Sequence, residues 1–233
     1  TLGNDVSGGT DLTANNLAAT DQSTDTCTNN FATMNSLDNY YAGGTFAEGN
    51  LQVTTRNTGY TYNTATIGVS TGKWYWEVKW SAQDTGSTNQ VVIGIAKRIV
   101  QSTTVWLGSV AWTYSYQGSD GKIKLSDSDV ITYDTYAVGD IIGVALDLDN
   151  NRLYFSKNGT FQNSSNPANG TNPISITAPD STLLDSGFYF PAFGDGNNNL
   201  VETGQFNFGS PIHSISSGNA DADGHGNFEY AVP

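Results

Sequence analysis

The chain has 233 residues and a mass of 24.8 kDa, with 9 Lys plus Arg against 22 Asp plus Glu and a formal net charge of −13. That length suits one domain of sandwich or barrel size. Nine scattered basic residues exclude a nucleic-acid partner, because binding phosphate backbones needs clustered Lys and Arg, and they disfavour anionic membrane surfaces for the same reason. Disorder is excluded as well, since 5 Trp, 12 Tyr and 10 Phe supply large side chains for a packed core. The longest apolar stretch, 141–148, is too short to span a bilayer and is broken by Gly143 and Asp147, so no membrane insertion is expected. A single cysteine, Cys27, makes no internal disulfide, which leaves core burial to hold the fold. Thr1 opens the chain without a basic, apolar leader, so an excerpt or a processed product is expected.

Residues 1–30 are polar and without apolar periodicity, and are expected to be an arm or linker ahead of a domain at 31–233. From Leu51 onward the pattern has a period of two. Trp74, Trp76, Val78 and Trp80 share one face of a strand while Tyr75, Glu77 and Lys79 share the other. The same reading predicts strands at 91–96, 123–125, 141–148, 152–156, 188–193 and 205–208, each bounded by Gly, Asn, Asp or Ser. Asp149, Asn150 and Asn151 mark a hairpin turn, and Asn158-Gly159 is the positive-φ pair that a tight turn prefers. Residues 161–187 read as an extended loop, and the three sequons at Asn158, Asn163 and Asn169 place that region at the surface. Many short strands and no stretch of helical period predict an all-β sandwich or barrel.

Four runs carry a resemblance. They are Gly72-Lys73-Trp74-Tyr75-Trp76-Glu77-Val78; Val92-Ile93-Gly94-Ile95-Ala96; and Gly139-Asp140-Ile141-Ile142-Gly143-Val144-Ala145-Leu146-Asp147-Leu148-Asp149 followed by Leu153-Tyr154-Phe155-Ser156-Lys157-Asn158-Gly159. With Pro191-Ala192-Phe193 and Phe206-Asn207-Phe208-Gly209 closing the pattern, residues 51–209 resemble a SPRY domain, with C-terminal strands and a tail expected at 210–233. The resemblance implies a bent antiparallel β-sandwich of the concanavalin A-like jelly-roll type that binds proteins or other ligands through loops at one end, and not an enzyme. The segments 24–33, 65–70 and 226–233 further resemble SPRY-containing proteins of bacteriophages, especially marine ones. In those relatives a proline commonly stands at the position of Cys27, and the chain usually continues past that of Pro233.

The residues of this chain give catalysis little support. A retaining glycosidase on such a sandwich needs two carboxylates about 5 Å apart. Glu77, one of four glutamates with Glu48, Glu202 and Glu229, has no acidic neighbour two residues away, and it is expected to pair with a basic or hydroxyl group beside the sheet. No nucleophile elbow occurs, since Gly118-Ser119-Asp120-Gly121 is one residue short of it and reads as a turn. The two histidines, His213 and His225, lie in a polar C-terminal segment where solvent exposure is expected, and with Cys27 they form no zinc spacing. No metal site is expected, but Asp147-x-Asp149-x-Asn151, Asp195 and the pair Asp221 and Asp223 sit in Gly- and Asn-rich clusters that calcium would favour over other ions, and all read more simply as turns. No cofactor is expected beyond that ion.

The candidate ligand-binding residues are aromatic. Trp106, Trp112, Tyr114, Tyr116, Tyr133 and Tyr136 punctuate the region between the 91–96 and 141–148 strands, where exposed rings would stack on sugars or anchor a protein, and buried ones would be core. Together these readings point to a non-catalytic module of a bacteriophage virion, in a tail fibre, appendage or capsid decoration, with a virion or extracellular location. Its partners would be other virion proteins or a host-surface glycan or protein. A secreted, lectin-like carbohydrate-binding module is the alternative. No coiled-coil heptads enforce a homo-oligomer, although an open sheet edge would permit one.

Overall fold

The computed structural model describes residues 9–10, 13, 15, 30–37, 43–84, 90–97, 104–180, 186–197 and 200–233. Cys27 and most of the expected 1–30 arm lie outside the described residues. Among the described residues fourteen strands follow in chain order: β1 (Thr45–Ala47), β2 (Gln52–Thr54), β3 (Tyr62–Thr64), β4 (Lys73–Gln83), β5 (Val91–Ala96), β6 (Thr113–Gln117) and β7 (Lys122–Leu125), then β8 (Ser128–Thr132), β9 (Ile141–Asp147), β10 (Arg152–Lys157), β11 (Thr160–Phe161), β12 (Ile174–Ser175), β13 (Phe190–Asp195) and β14 (Glu202–Asn207). Among the described residues the only helical pieces are single 3-10 turns at 48–50 and 162–164, and no helix is long and apolar enough to cross a membrane.

These strands form two antiparallel sheets. The larger runs β1-β2-β14-β4-β9-β10-β11, with β12 also paired to β10, and the smaller runs β3-β13-β5-β6-β7-β8. The all-β sandwich expected from the alternation is the fold observed. Trp76, Val78 and Trp80 of β4, Val144 and Leu146 of β9, and Leu153 and Phe155 of β10 point inward to meet Ile93, Ile95, Tyr116 and Phe193 of the smaller sheet. Trp74 belongs to the same face by period but lies at the strand's start, where the sandwich ends, and is 46% exposed.

The turns follow their residues. Asn158 (φ 47) and Gly159 (φ 79) join β10 to β11 in a two-residue hairpin, with Lys157 opposite Thr160. Asp147 binds the Asn150 backbone N–H and side-chain amide at 3.1 and 2.9 Å, so its carboxylate shapes the β9–β10 turn. Gly118–Asp120 is likewise a turn, between β6 and β7. Asn158, Asn163 and Asn169 are all exposed, and the long 161–187 connection is only partly irregular because it contributes β11's end, a 3-10 turn and β12.

Two expectations need correction. No named strand follows Asn207: within 210–233 the only pairing is a single bridge between Asn219 and Phe228, and the segment instead lies across the larger sheet. His213, within this segment, is also not solvent-exposed, at 9% accessible. A polar stretch without periodicity carries no sign that it will be laid over a sheet.

Candidate binding cleft

On β4 the odd-numbered residues face away from the core, and the C-terminal tail covers Tyr75 and Glu77. Glu77 is fully buried there, though it sits on the outer face. Its carboxylate accepts four hydrogen bonds: from the Tyr75 hydroxyl (3.1 Å), the Asn207 side-chain amide (3.0 Å), and the backbone N–H groups of Glu229 (3.0 Å) and Tyr230 (2.8 Å). Two successive main-chain donors on one carboxylate make a clamp on the tail. The partner expected for Glu77 was a basic or hydroxyl group; the hydroxyl is Tyr75, and amides supply the rest. Asn207 extends the clamp by donating to the Asn227 carbonyl at 2.9 Å, and Phe228 packs edge-on against Tyr75 with ring centroids 5.3 Å apart. Glu229 in turn accepts from the Ser216 backbone at 2.6 Å and from its hydroxyl, which ties the tail to its own first turn.

A cleft of about 360 Å³ opens beside the start of β4. Trp74, Tyr75 and Trp76 form its floor, Phe31 and Phe208 stand among its apolar walls, and Lys73, Asp147, Asp221 and His225 carry its polar lining. Strand register explains the opening. Trp80 exchanges backbone bonds with Asp140 (3.1 Å) and Gly139 (2.8 Å), and the Gly72 carbonyl accepts from Leu148 (2.9 Å), so even-numbered residues of β4 turn their main-chain groups toward β9. Odd-numbered residues turn theirs toward β14. But β14 ends at Asn207, opposite Glu77, and Gly209 at φ 126 carries the chain away. Lys73 and Tyr75 therefore present backbone N–H and C=O groups to the cleft, with no strand beside them among the described residues. Trp76, a further lining residue and 2% exposed, keeps a buried indole N–H without a hydrogen-bond partner.

The six aromatic residues expected at a ligand surface divide. Tyr114, Tyr116, Tyr133 and Tyr136 are buried at 8% exposure or less and belong to the core, which corrects their reading as ligand contacts. Tyr114 and Tyr116 alternate with Ser115 along β6, and Tyr116 packs against Tyr136 (4.8 Å between ring centroids), Tyr133 (5.6 Å) and Phe155 (5.4 Å). The Tyr136 hydroxyl donates to the carbonyls of Tyr116 (2.8 Å) and Val91 (3.2 Å), so its polar tip is satisfied inside the sandwich. Trp106 and Trp112 are half-buried at the loop end, where the Lys97 ammonium sits 4.5 Å from the Trp112 ring centroid. Period two along 113–117 was the signal that would have assigned the β6 tyrosines to the core.

The acidic candidates do not converge. No group of three or more His, Cys, Asp or Glu that could hold a metal occurs among the described residues. Asp221 accepts the backbone N–H groups of Asp223 (3.0 Å) and His225 (2.7 Å) in a surface turn, and Asp223 is exposed. Asp195 instead points into the end of the core, fully buried, where burial pushes its carboxyl up to about 8. Glu202 faces it from the other sheet, pushed up to about 7 by burial although the Trp80 indole donates to it at 2.8 Å. A neutral buried acid is the arrangement that these environments favour. His213 is pushed down to about 4, chiefly by burial, with the Lys79 charge adding to it and Glu229 opposing.

Sequence reasoning named Asp147, Asp221 and His225 only as metal candidates and did not bring them together with 73–76, because nothing local to 73–76 shows where β14 will stop. Comparison with known proteins gives the fold its context. The SPRY domain family profile matches residues 73–210, from the start of β4 to just past β14. No curated protein matches the chain in sequence. Among solved structures, the crystal structure of the SPRY domain of human HERC1 is similar, with a TM-score of 0.55 and 17% identity over 73% of this chain and 94% of that chain. At that identity the likeness establishes the fold. With a profile match over more than half of its length and the bent two-sheet sandwich in place, this chain belongs to the SPRY domain family.

Proposed function

We propose that this chain is a non-catalytic binding module of a bacteriophage virion, working in a tail fibre, appendage or capsid decoration and contacting another virion protein or a host-surface component. SPRY domains are in general protein-interaction modules. The observation that carries the binding reading is the division of labour on β4: Glu77 is consumed as a structural clamp by four donors, while the neighbouring Lys73–Trp76 stretch opens on a cleft where, among the described residues, no strand pairs with it on the β14 side. A carboxylate so enclosed has no access to a substrate. The virion context rests on the resemblance of 24–33, 65–70 and 226–233 to phage SPRY proteins, together with the acidic charge. Trp106 and Trp112, half-buried at the loop end, are the proposed secondary contact.

A lectin-like carbohydrate module is the second reading, and Trp74 favours it: its ring is 46% exposed at a cleft that also holds Asp147 and His225, the pairing of apolar platform and polar rim that sugars use. The test is mass spectrometry of purified particles, followed by adsorption of labelled full-length chain to intact host cells with and without soluble surface polysaccharide. Presence in particles with saturable adsorption supports the virion reading. Absence from particles overturns it, and adsorption abolished by polysaccharide with no protein receptor transfers the case to the lectin.

A further inference from the structure

We infer that the cleft beside β4 binds an extended peptide segment of a partner protein as an added strand, antiparallel to Lys73–Trp76, in the place that β14 leaves open. This rests on the binding-module reading above. The main-chain groups of Lys73 and Tyr75 face the cleft, and in an antiparallel ladder a residue set opposite Tyr75 would exchange both backbone bonds with it. A span of four residues is about 13 Å at roughly 3.3 Å per residue, so the site takes a short segment rather than a whole sheet edge.

Its setting separates it from an ordinary edge. Exposed edges invite indiscriminate pairing and are usually blocked. Here the stretch left unpaired among the described residues is recessed in a cleft of about 360 Å³ with Phe31 and Phe208 among its walls, a volume that suits a short segment. Side chains of an added strand would alternate between the outer side, by Tyr75 and Phe228, and the inner side, by Trp74 and Trp76. The inner position has a specific requirement: the Trp76 indole is donor-only and unpartnered, so a ligand residue with an oxygen acceptor there satisfies it. Lys73, exposed at the mouth, shares the rim with Asp147 and Asp221, which makes it a mixed-charge rim.

The test is selection of a random octapeptide display library on the full-length chain, followed by amide hydrogen exchange of the chain with and without the enriched synthetic peptides. The expected result is slowed exchange at the Lys73 and Tyr75 amides, with Trp74 and Trp76, already bonded to β9, unchanged. N-methylating the peptide one residue at a time should then cost about tenfold or more in affinity at alternate positions only, because every second amide bonds to β4. The peptide changes leave the chain intact, so misfolding cannot imitate the effect. Three results overturn the inference: a Tyr75 amide in the free chain as protected as that of Glu77, protection that appears at 104–112 instead, or no enriched peptide. If the chain nevertheless adsorbs to cells or is present in particles, strand addition fails while the binding-module reading stands; if peptides bind as described and particles lack the chain, strand addition stands and the virion context fails.

Discussion

The Glu77 carboxylate accepts the Tyr230 backbone N–H at 2.8 Å across 153 residues of chain, which makes one buried side chain the tie between the centre of the larger sheet and the C-terminal tail. With Glu229 bonded to the other oxygen at 3.0 Å, the contact fixes both the register and the direction of the tail. The same tail forms part of the cleft through Phe228, Val232 and Pro233, so folding and the binding surface share this joint.

Replacing Glu77 with Gln puts an amide donor against four donors. Hydrogen bonds to a charged acceptor are each worth about 1.5–3 kcal/mol and leaving buried donors unmet is costly, so a net loss of about 2–4 kcal/mol is expected. Urea unfolding measures it, and hydrogen exchange should show Glu229 and Tyr230 opening ahead of the core strands. Unchanged stability together with unchanged tail protection would refute the clamp.

Stability should fall as pH rises from about 6.5 to 8.5. Asp195 and Glu202 have folded-state values raised to about 8 and 7 by burial, so the stability they contribute is complete below their unfolded values near 4 and is lost as pH climbs through the folded ones. His213 is lowered to about 4, so its contribution is present above about 6.5 and lost as pH falls toward 4, outside that window. Denaturation midpoints at several pH values test this, and Asp195→Asn should flatten the alkaline decline. A midpoint that rises across the window would contradict the assignment of buried neutral acids.

Tyr136→Phe removes a hydroxyl that serves the Tyr116 and Val91 carbonyls inside the core. A destabilisation of about 1–2 kcal/mol is expected, with ligand adsorption unaffected once the protein is folded. Loss of adsorption at unchanged stability would return this tyrosine to the ligand surface.

Gly94→Ala should be among the most damaging single changes. A Cβ on Gly94 would stand 1.8 Å from the Tyr114 carbonyl oxygen, a backbone atom that cannot swing aside, because β5 and β6 pair at Gly94 and Ser115. The strands must separate, and a loss of about 3 kcal/mol or more, or failure to accumulate as folded protein, is the expected outcome. Near wild-type thermal unfolding would mean that the two strands are less closely paired than this register requires.

The larger strands were legible in the sequence because alternation reports a local fact, which face of a pleated ribbon meets the core. That is why 74–80, 91–96 and 141–156 stand close to where they were expected, and why Asn158-Gly159 was readable as a hairpin. Even the strand at Thr113–Gln117 carried the signal, in Tyr114, Ser115 and Tyr116, although its rings first suggested a ligand surface. The succession of short alternating strands with turn signals between them likewise indicated the all-β class. Only the tertiary structure decided which side chains meet across the chain: Glu77 with Glu229 and Tyr230, Asp195 with Glu202, and the end of β14 with the middle of β4. The first and last of those pairings join segments 100 or more residues apart and the second joins opposite sheets, so all depend on register set by the summed packing of both sheets rather than by any short run of residues. The clamp, the buried acids and the open stretch at Lys73–Trp76 are all products of that global fit.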